Sequence, residues 1–500
     1  MTATDALARD AAALLRPDAP ALLRHEASET GPDSPRVFLA ARHDVVVAML
    51  CDEDRFSLIH YDLLLEQVAP GTRYLVGEND ANRHIRLALL HAAQAHADAV
   101  RQAPPDPGPP NLAPGLRGHV ATIVREEAQR ILDVLAHRAE TAEPVNFVRD
   151  YAFLLAYRVA RRIVGVPGPA RPPALVRLIV ALRNAIRPGP WVRLRGEQGL
   201  AAATLTALHP LFGHVFGTIT TSPGWMQAAT RATTAPALDA FDAALALPGL
   251  GPPDSLVAAM YAIRPQFPAV SDANFHLQAR SVLFELAGAL ILIVGKSLSE
   301  IAAFAASDAG EAAGIDWPGL IATLADPDRT QADHDATINE MLRLGGGNRL
   351  VRTVRVDGPW RGIDLRAGDR ILLLIDAASH DPAAFPQPHL FQPSPQRAYI
   401  TSGPLQGPHV CYGRAIAWTI LREAILATAG RIAPANGAAL ASFGGLPDDL
   451  AFLAVPRSTP EATLGAAGRP EPAVHADQSA VSATIAAGKV PLGILKGRIT

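Results

Sequence analysis

Cysteine is nearly missing from this chain: two residues in 500, Cys51 and Cys411, lie far apart, too few for a disulfide framework of the secreted kind. Aromatic residues are scarce as well, at 5%. Charge of one sign is not in excess, since 45 Lys and Arg face 48 Asp and Glu for a formal net charge of −3. That balance excludes a nucleic-acid binder driven by phosphate attraction. Long hydrophobic runs are missing too. The most apolar stretch, Leu286 to Gly295, holds ten residues between Glu285 and Lys296, half of the roughly 20 that a membrane-spanning helix requires. Met1 to Leu23 mixes Asp, Arg and Glu with Ala and Leu, without the basic and apolar regions of a signal peptide. A soluble, cytoplasmic protein with no membrane span is expected.

What is present is apolar bulk and punctuation. Apolar residues make up 49% and charged residues 19%, enough to bury a large core. The 43 Pro and 39 Gly divide an Ala- and Leu-rich chain into short helical stretches, so a mainly α fold of the α+β type is expected. Strand signals are few, the best being Arg36–Ala40, Arg349–Val356 and Arg370–Ile375. Pro104 to Pro110 reads as a loop inside a domain. Length alone allows about three domains of roughly 150 residues. The pattern instead supports an N-terminal segment (1–35), one main domain (36–456) and an irregular C-terminal extension (457–500), where Pro, Ala, Gly and Ser lack any period.

The helix expected at Asn274–Ala306 is almost free of Gly and Pro and apolar on nearly every face, which places it at the centre of a large domain. A second helix is expected at Asp335–Leu344, begun by Asp and stopped at Gly345–Gly347. A third, Arg414–Ala429, puts Ala417, Ile420, Leu421, Ala424 and Ile425 on one face and ends at Gly430.

Cys411 is the residue best placed for chemistry. It sits in Gly403-Pro-Leu-Gln-Gly-Pro-His-Val-Cys-Tyr-Gly413, just before a helix whose N–H groups and positive end can stabilise a thiolate, a ligand for iron. Gly407 and Gly413 permit a flat, bulky group to approach the backbone, and His409 can donate to an acid on it. Cys51 reads as a packing residue. Earlier in the chain, Glu340 and Arg343 stand three apart and so share a helix face. They are followed by Arg352 in a strand, by Asp376-Ala-Ala-Ser-His-Asp-Pro, by Phe391-Gln-Pro393 with Arg397, and then by the cysteine loop. Gly295-Lys296-Ser297 is not a phosphate loop, because Leu290 stands where its first Gly belongs. Gly345–Gly347 follows a helix rather than a strand, so it is no dinucleotide fingerprint. His380 and His389 lack zinc-ligand companions.

This order of motifs resembles the cytochrome P450 family of haem-thiolate enzymes, bacterial soluble type, from about Arg36 to Pro456. Phe38–Ser57 and Val145–Gly168 look like its early segments. The resemblance implies a helical domain with a small β-rich region, and haem b between the central helix and the cysteine loop. It makes Cys411 the axial ligand, sets Glu340, Arg343 and Arg397 as a structural triad, and matches Gly407, His409 and Gly413 to the loop. Arg352 and His409 are implied as propionate contacts. His84 aligns with the helix that meets the propionates, but Ala88 replaces its partner arginine, and Arg83 or Arg86 is the substitute. The usual Phe and Gly of the loop are Pro404 and Leu405.

The largest departure is in the central helix, where monooxygenases of the family carry Ala/Gly-Gly-x-Asp/Glu-Thr. Aligning Val294-Gly295-Lys296-Ser297-Leu298-Ser299 with it puts Ser297 and Leu298 in place of the acid and alcohol. Aligning Ala287-Gly288-Ala289-Leu290-Ile291 replaces both by aliphatics. Without that pair, an oxidant that already contains a reduced O–O bond is favoured, and Tyr399-Ile400 with the cysteine loop is similar to the haem domain of fatty-acid diol synthases, which rearrange lipid hydroperoxides. Lys296, Ser297, Leu298, Ser299 and Glu300 then occupy the catalytic neighbourhood, although Lys296 also reads as a surface lysine at a helix bend. Arg280 reads as a helix-flank arginine or as a carboxylate anchor. The expected reaction is oxidation of a lipophilic small molecule by a peroxygenase or hydroperoxide isomerase. The alternatives are a dioxygen-dependent monooxygenase served by ferredoxin and reductase partners, and a non-catalytic haem binder.

Overall fold

The computed structural model describes residues 3–16, 18–25, 35–73, 81–101, 116–136, 144–165, 210–216, 224–247, 251–401, 409–443 and 446–455. Pro104–Pro110, Val166–Gly168, Pro404, Leu405, Gly407 and the extension after 456 lie outside these residues.

The long helix runs from Asp272 to Ala305, opened by Ser271, whose hydroxyl accepts the Asn274 N–H. It packs against Phe153–Val164, Gln331–Gly345, Gly224–Ala246, Arg414–Ala427 and Arg83–Arg101. Such company explains its all-round apolar sequence. It is the one described helix long and apolar enough to cross a membrane, yet most of that apolar window is buried inside the protein. Gly295 is dictated by packing, because a Cβ there would meet the Phe153 ring at 2.5 Å. At Gly288, two turns earlier, a Cβ would meet nothing within 4 Å.

The expected strands form at Val37–Ala40, Arg349–Val354 and Arg370–Leu374, and all three join one five-stranded sheet completed by Leu23–Arg24 and Phe56–Ser57. Val37–Ala40 runs parallel to Arg370–Leu374, with Phe38 opposite Ile371. Arg352 also pairs with Ile371 across the antiparallel Arg349–Val354 ladder. The residues before 36 are not an appendage: Leu23 and Arg24 pair with Leu39 and Phe38, and Leu7 and Leu14 enter the main core. Composition concealed several strands of two to four residues, such as Gly358–Trp360 with Ile363–Leu365, turned at Arg361 with φ 49°. Runs that short carry too few residues to establish a period.

The helix bearing Glu340 spans Gln331–Gly345 and starts four residues before its expected position. Thr330 and Asp333 close a capping box there, each side chain accepting the other's backbone N–H. Cys51 is exposed at the end of His43–Cys51, so the packing role expected for it does not hold. Gly295→Ala should lower stability by about 1–3 kcal/mol through overpacking against Phe153, while Gly288→Ala should stay within about 1 kcal/mol of the parent. Thermal unfolding midpoints of the two variants check this.

Candidate active site

Glu340 is buried with no exposed side-chain surface and is met by two guanidinium groups. Arg343 donates from Nε and Nη2 to its two carboxylate oxygens, each at 2.9 Å. Arg397 adds Nη1 at 3.0 Å, and the Gln392 N–H a further bond at 3.0 Å. Arg343 also donates to the carbonyls of Ser379, Pro388 and Leu390, so one side chain gathers the whole segment that leads toward the cysteine. Its guanidinium lies 4.9 Å from the Phe385 ring centre. Tyr399 hydrogen-bonds Glu340, and burial pushes its phenol far above the ordinary range. The structure thus brings Glu340, Arg343 and Arg397 together.

Cys411 is half-buried, just before the helix Arg414–Ala427. Burial is the main influence on its thiol and pushes it up; the N–H groups of Gly413 and Arg414 and the Arg414 charge pull the other way. The helix end alone does not make a thiolate here, and the positive charge of a bound metal is what would do so. The carboxylate of Glu285, on the central helix, also pushes the thiol up.

Between Glu285 and Gly295 that helix is partly open, at Ala287 on one side and along a stripe on another. Glu285, Gly288 and Ala289 are at least partly exposed, as is Ile293, at 36%, while Leu286, Leu290, Ile291, Leu292 and Val294 are buried. Residues at i, i+3, i+4 and i+8 share a helix face. The expected catalytic group lies beyond it in the chain. Lys296, Ser297, Leu298 and Ser299 are all buried, which corrects the surface reading of Lys296. Its Nζ is 2.7 Å from Glu300 and donates to the Gly347 carbonyl at 3.0 Å. Burial pushes Glu300 up despite that lysine. The Ser299 hydroxyl is spent on the Gly295 carbonyl at 2.8 Å. Arg280 binds Asp242 and the Pro70 carbonyl, which fits the helix-flank reading.

His409 is buried, with Nε2 3.5 Å from Glu53, and Arg83 reaches the same Glu53 oxygen at 3.4 Å. Two of the expected propionate contacts thus share one carboxylate. Arg86 points elsewhere, donating to Gln278 of the central helix at 3.1 Å. Arg352 is buried near Tyr61, whose phenol accepts the Val351 N–H at 2.7 Å. His84 is exposed, on one face with Ala88 and His91. His91 was not expected in the site, yet its ring lies 5.9 Å from that of Tyr412, next to Cys411; the i+7 spacing from His84 was the available signal. Glu53 had none. Among the described residues no cluster of His, Cys, Asp and Glu could hold a metal ion without a further group.

Comparison with known proteins identifies the fold. The cytochrome P450 family model matches residues 334–424, the segment that holds Glu340, Arg343, Arg352, Arg397 and Cys411. Solved structures match over nearly the whole chain. P450BioI in complex with hexadec-9Z-enoic acid ligated acyl carrier protein is 15% identical with a TM-score of 0.61, covering 91% of this chain and 100% of its own. The fold is the cytochrome P450 fold. Myxobacterial P450 CYP267B1, solved with myristic acid, is 16% identical at a TM-score of 0.61, covering 90% of this chain and 96% of its own. The CYP116B5 haem domain of Acinetobacter radioresistens is 16% identical at 0.58, covering 90% and 94%. At these identities the likeness is one of fold. No curated protein matches the chain by sequence.

The family-model match and the shared fold indicate an oxidoreductase whose cofactor is haem ligated by a cysteine thiolate. The residues fit that group. A Cβ at Gly288 or at Gly413 would meet nothing within 4 Å, leaving room beside Cys411 and along the open helix face. Removing Glu340 as Ala would leave two guanidinium groups facing each other, at a cost of about 3–5 kcal/mol. Arg397→Ala, at a partly exposed position, should cost about 1.5–3 kcal/mol. Thermal unfolding, together with haem content after purification, checks the order of the two.

Proposed function

We propose that this protein is a cytochrome P450 that uses a peroxide as its oxidant and acts on a lipophilic substrate, with Cys411 as the axial ligand. One observation carries the reading. Beyond Glu285 the open face of the central helix lies wholly within Leu286–Gly295, and that run holds no polar side chain. The family's acid and alcohol pair protonates dioxygen bound at iron so that its O–O bond breaks heterolytically. Neither alignment supplies that pair: Ser297 and Leu298 stand there in one, Leu290 and Ile291 in the other. A hydroperoxide already contains the reduced O–O bond and needs no electron-transfer partner.

Thiolate ligation, the arrangement found in the P450s, supplies electron density that favours O–O cleavage. The chain's own residues prepare that chemistry. Gly413 and Arg414 direct N–H groups at Cys411, which limits how far its charge is spent. Arg83 and Arg352 offer cations and His409 a ring N–H for the haem propionates, and Glu53 lies beside Arg83 and His409. Glu340, Arg343 and Arg397 hold the segment that delivers the cysteine loop and are positioning residues. Gly288, Ala289 and Ile293 present an apolar wall suited to a hydrocarbon chain and exclude water from the reacting oxygen. Fatty-acyl occupants of related structures, hexadecenoyl acyl carrier protein and myristic acid, support a lipid as the substrate class.

The reading is tested by mixing purified, haem-loaded protein anaerobically with a polyunsaturated fatty-acid hydroperoxide and no reductase. Conversion to diol, epoxy-alcohol or ketone is expected. Inertness there, combined with substrate oxidation once ferredoxin, reductase and dioxygen are added, would make it a dioxygen-dependent monooxygenase instead.

A further inference from the structure

The helix that carries Glu340 has a buried histidine in its first turns. His334 of Gln331–Gly345 meets Arg422 of Arg414–Ala427, whose Nη2 stands 3.3 Å from the imidazole Nε2. A guanidinium has only N–H groups to offer, so the contact assigns Nε2 as the acceptor and the ring as neutral, with its proton on Nδ1. That Nδ1 is buried without a hydrogen-bond partner. Arg422 also donates from Nη2 to the Leu324 carbonyl at 3.2 Å, and its Nη1 reaches Glu423 at 3.4 Å. One guanidinium thus ties Trp317–Ala325 and Gln331–Gly345 to the helix that follows Cys411. The other charges around the histidine are engaged elsewhere. Asp335 holds Arg117 at 2.9 and 3.0 Å, Asp333 caps the helix with Thr330, and Glu423 meets Arg125 at 3.3 Å. Arg329 pairs with Asp326 at 3.6 Å, and Lys296 and Glu300 of the central helix turn to each other. Burial, with Arg422 and Arg329, holds the imidazole below its ordinary range, against a weaker pull from Asp335 and Asp333.

We propose that the His334–Arg422 contact is a proton-sensitive latch between the helix of Glu340 and the helix that follows Cys411. A proton on Nε2 turns the acceptor into a donor that faces a donor, and sets two positive charges against each other in a covered place. The contact then opens. The helix Arg414–Ala427, which starts three residues after Cys411, loses a tie to the scaffold, and the cysteine loop before it is held less firmly. The sign follows from linkage. An unfolded histidine takes up its proton near about pH 6.5, whereas the folded one resists it. Stability is therefore complete above that pH and is lost as the pH falls from there toward the lower folded value. The latch stands apart from the peroxide reading, since it concerns how firmly the thiolate is held, whichever oxidant the site uses.

The test follows the thiolate-type band of the reduced carbonyl complex, in the haem-loaded full chain, from about pH 8 down to about pH 5. The parent should lose the band in acid, and its thermal unfolding midpoint should fall over the same range. His334→Gln keeps an acceptor for Arg422 but takes up no proton, so its loss of the band should move at least about 0.5 pH unit lower. Arg422→Gln removes the opposing cation and should move the loss in the same direction. A contact that only holds the fold would instead weaken the protein equally at every pH. A downward shift in either variant supports the latch. A parent band that is unchanged at the acid end overturns it, as does loss at the parent's pH in both variants. Failure of both to take up haem at the alkaline end also overturns it, because the pair would then be scaffold alone.

Discussion

A helix of 34 residues through the middle of the molecule has to be covered along most of its length. The helices packed against it supply that cover, and the sequence answers them. Gly295 yields to the ring of Phe153, and Lys296 with Glu300 clamps Gly347 from both sides, one through its carbonyl and the other through its N–H. Partly open between Glu285 and Gly295 is the stripe Glu285, Gly288, Ala289 and Ile293. Fold and chemistry meet on that stripe, since its residues both define the wall of the site and decide which oxidant the site can use.

A second constraint lies on the thiolate side. A carboxylate as buried as Glu340 is tolerated only when fully paired and hydrogen-bonded, and Arg343 and Arg397 pair it while gathering Ser379, Pro388, Leu390 and Gln392. A polar chain continues from there. Thr401, just before the cysteine loop, donates to Asn339 of the same helix, and its carbonyl accepts from Asn348, which also meets Lys296. The central helix and the approach to Cys411 are therefore fixed against each other through side chains placed on neither ligand nor substrate. Lys296 serves that network, and its burial cost is repaid by position rather than by chemistry.

The cysteine loop, the Glu340–Arg343 pair and the main strands were legible in the sequence because each is local: a spacing of three, a glycine-flanked thiol, a short β-branched run. Glu53 was not legible, since its pairing with Arg83 and His409 joins segments about 30 and 350 residues apart with no repeating pattern. The helix start at Thr330 was readable in principle from Thr330-x-x-Asp333, but the acidic run at Asp333 and Asp335 drew the boundary inward. Lys296 looked like surface because lysine usually is; nothing local announces a buried partner at Gly347.

The account stands on Cys411 being the axial ligand. The most direct measurement is the absorption spectrum of the reduced carbonyl complex of the protein and of Cys411→His, which keeps a ligand for iron while removing the thiolate. The parent should show the long-wavelength thiolate-type band, and the variant should bind haem yet show the shorter-wavelength band of histidine ligation. A thiolate-type band that persists in Cys411→His would contradict the account, because Cys51 is the only other cysteine in the chain and it lies exposed at the end of another helix.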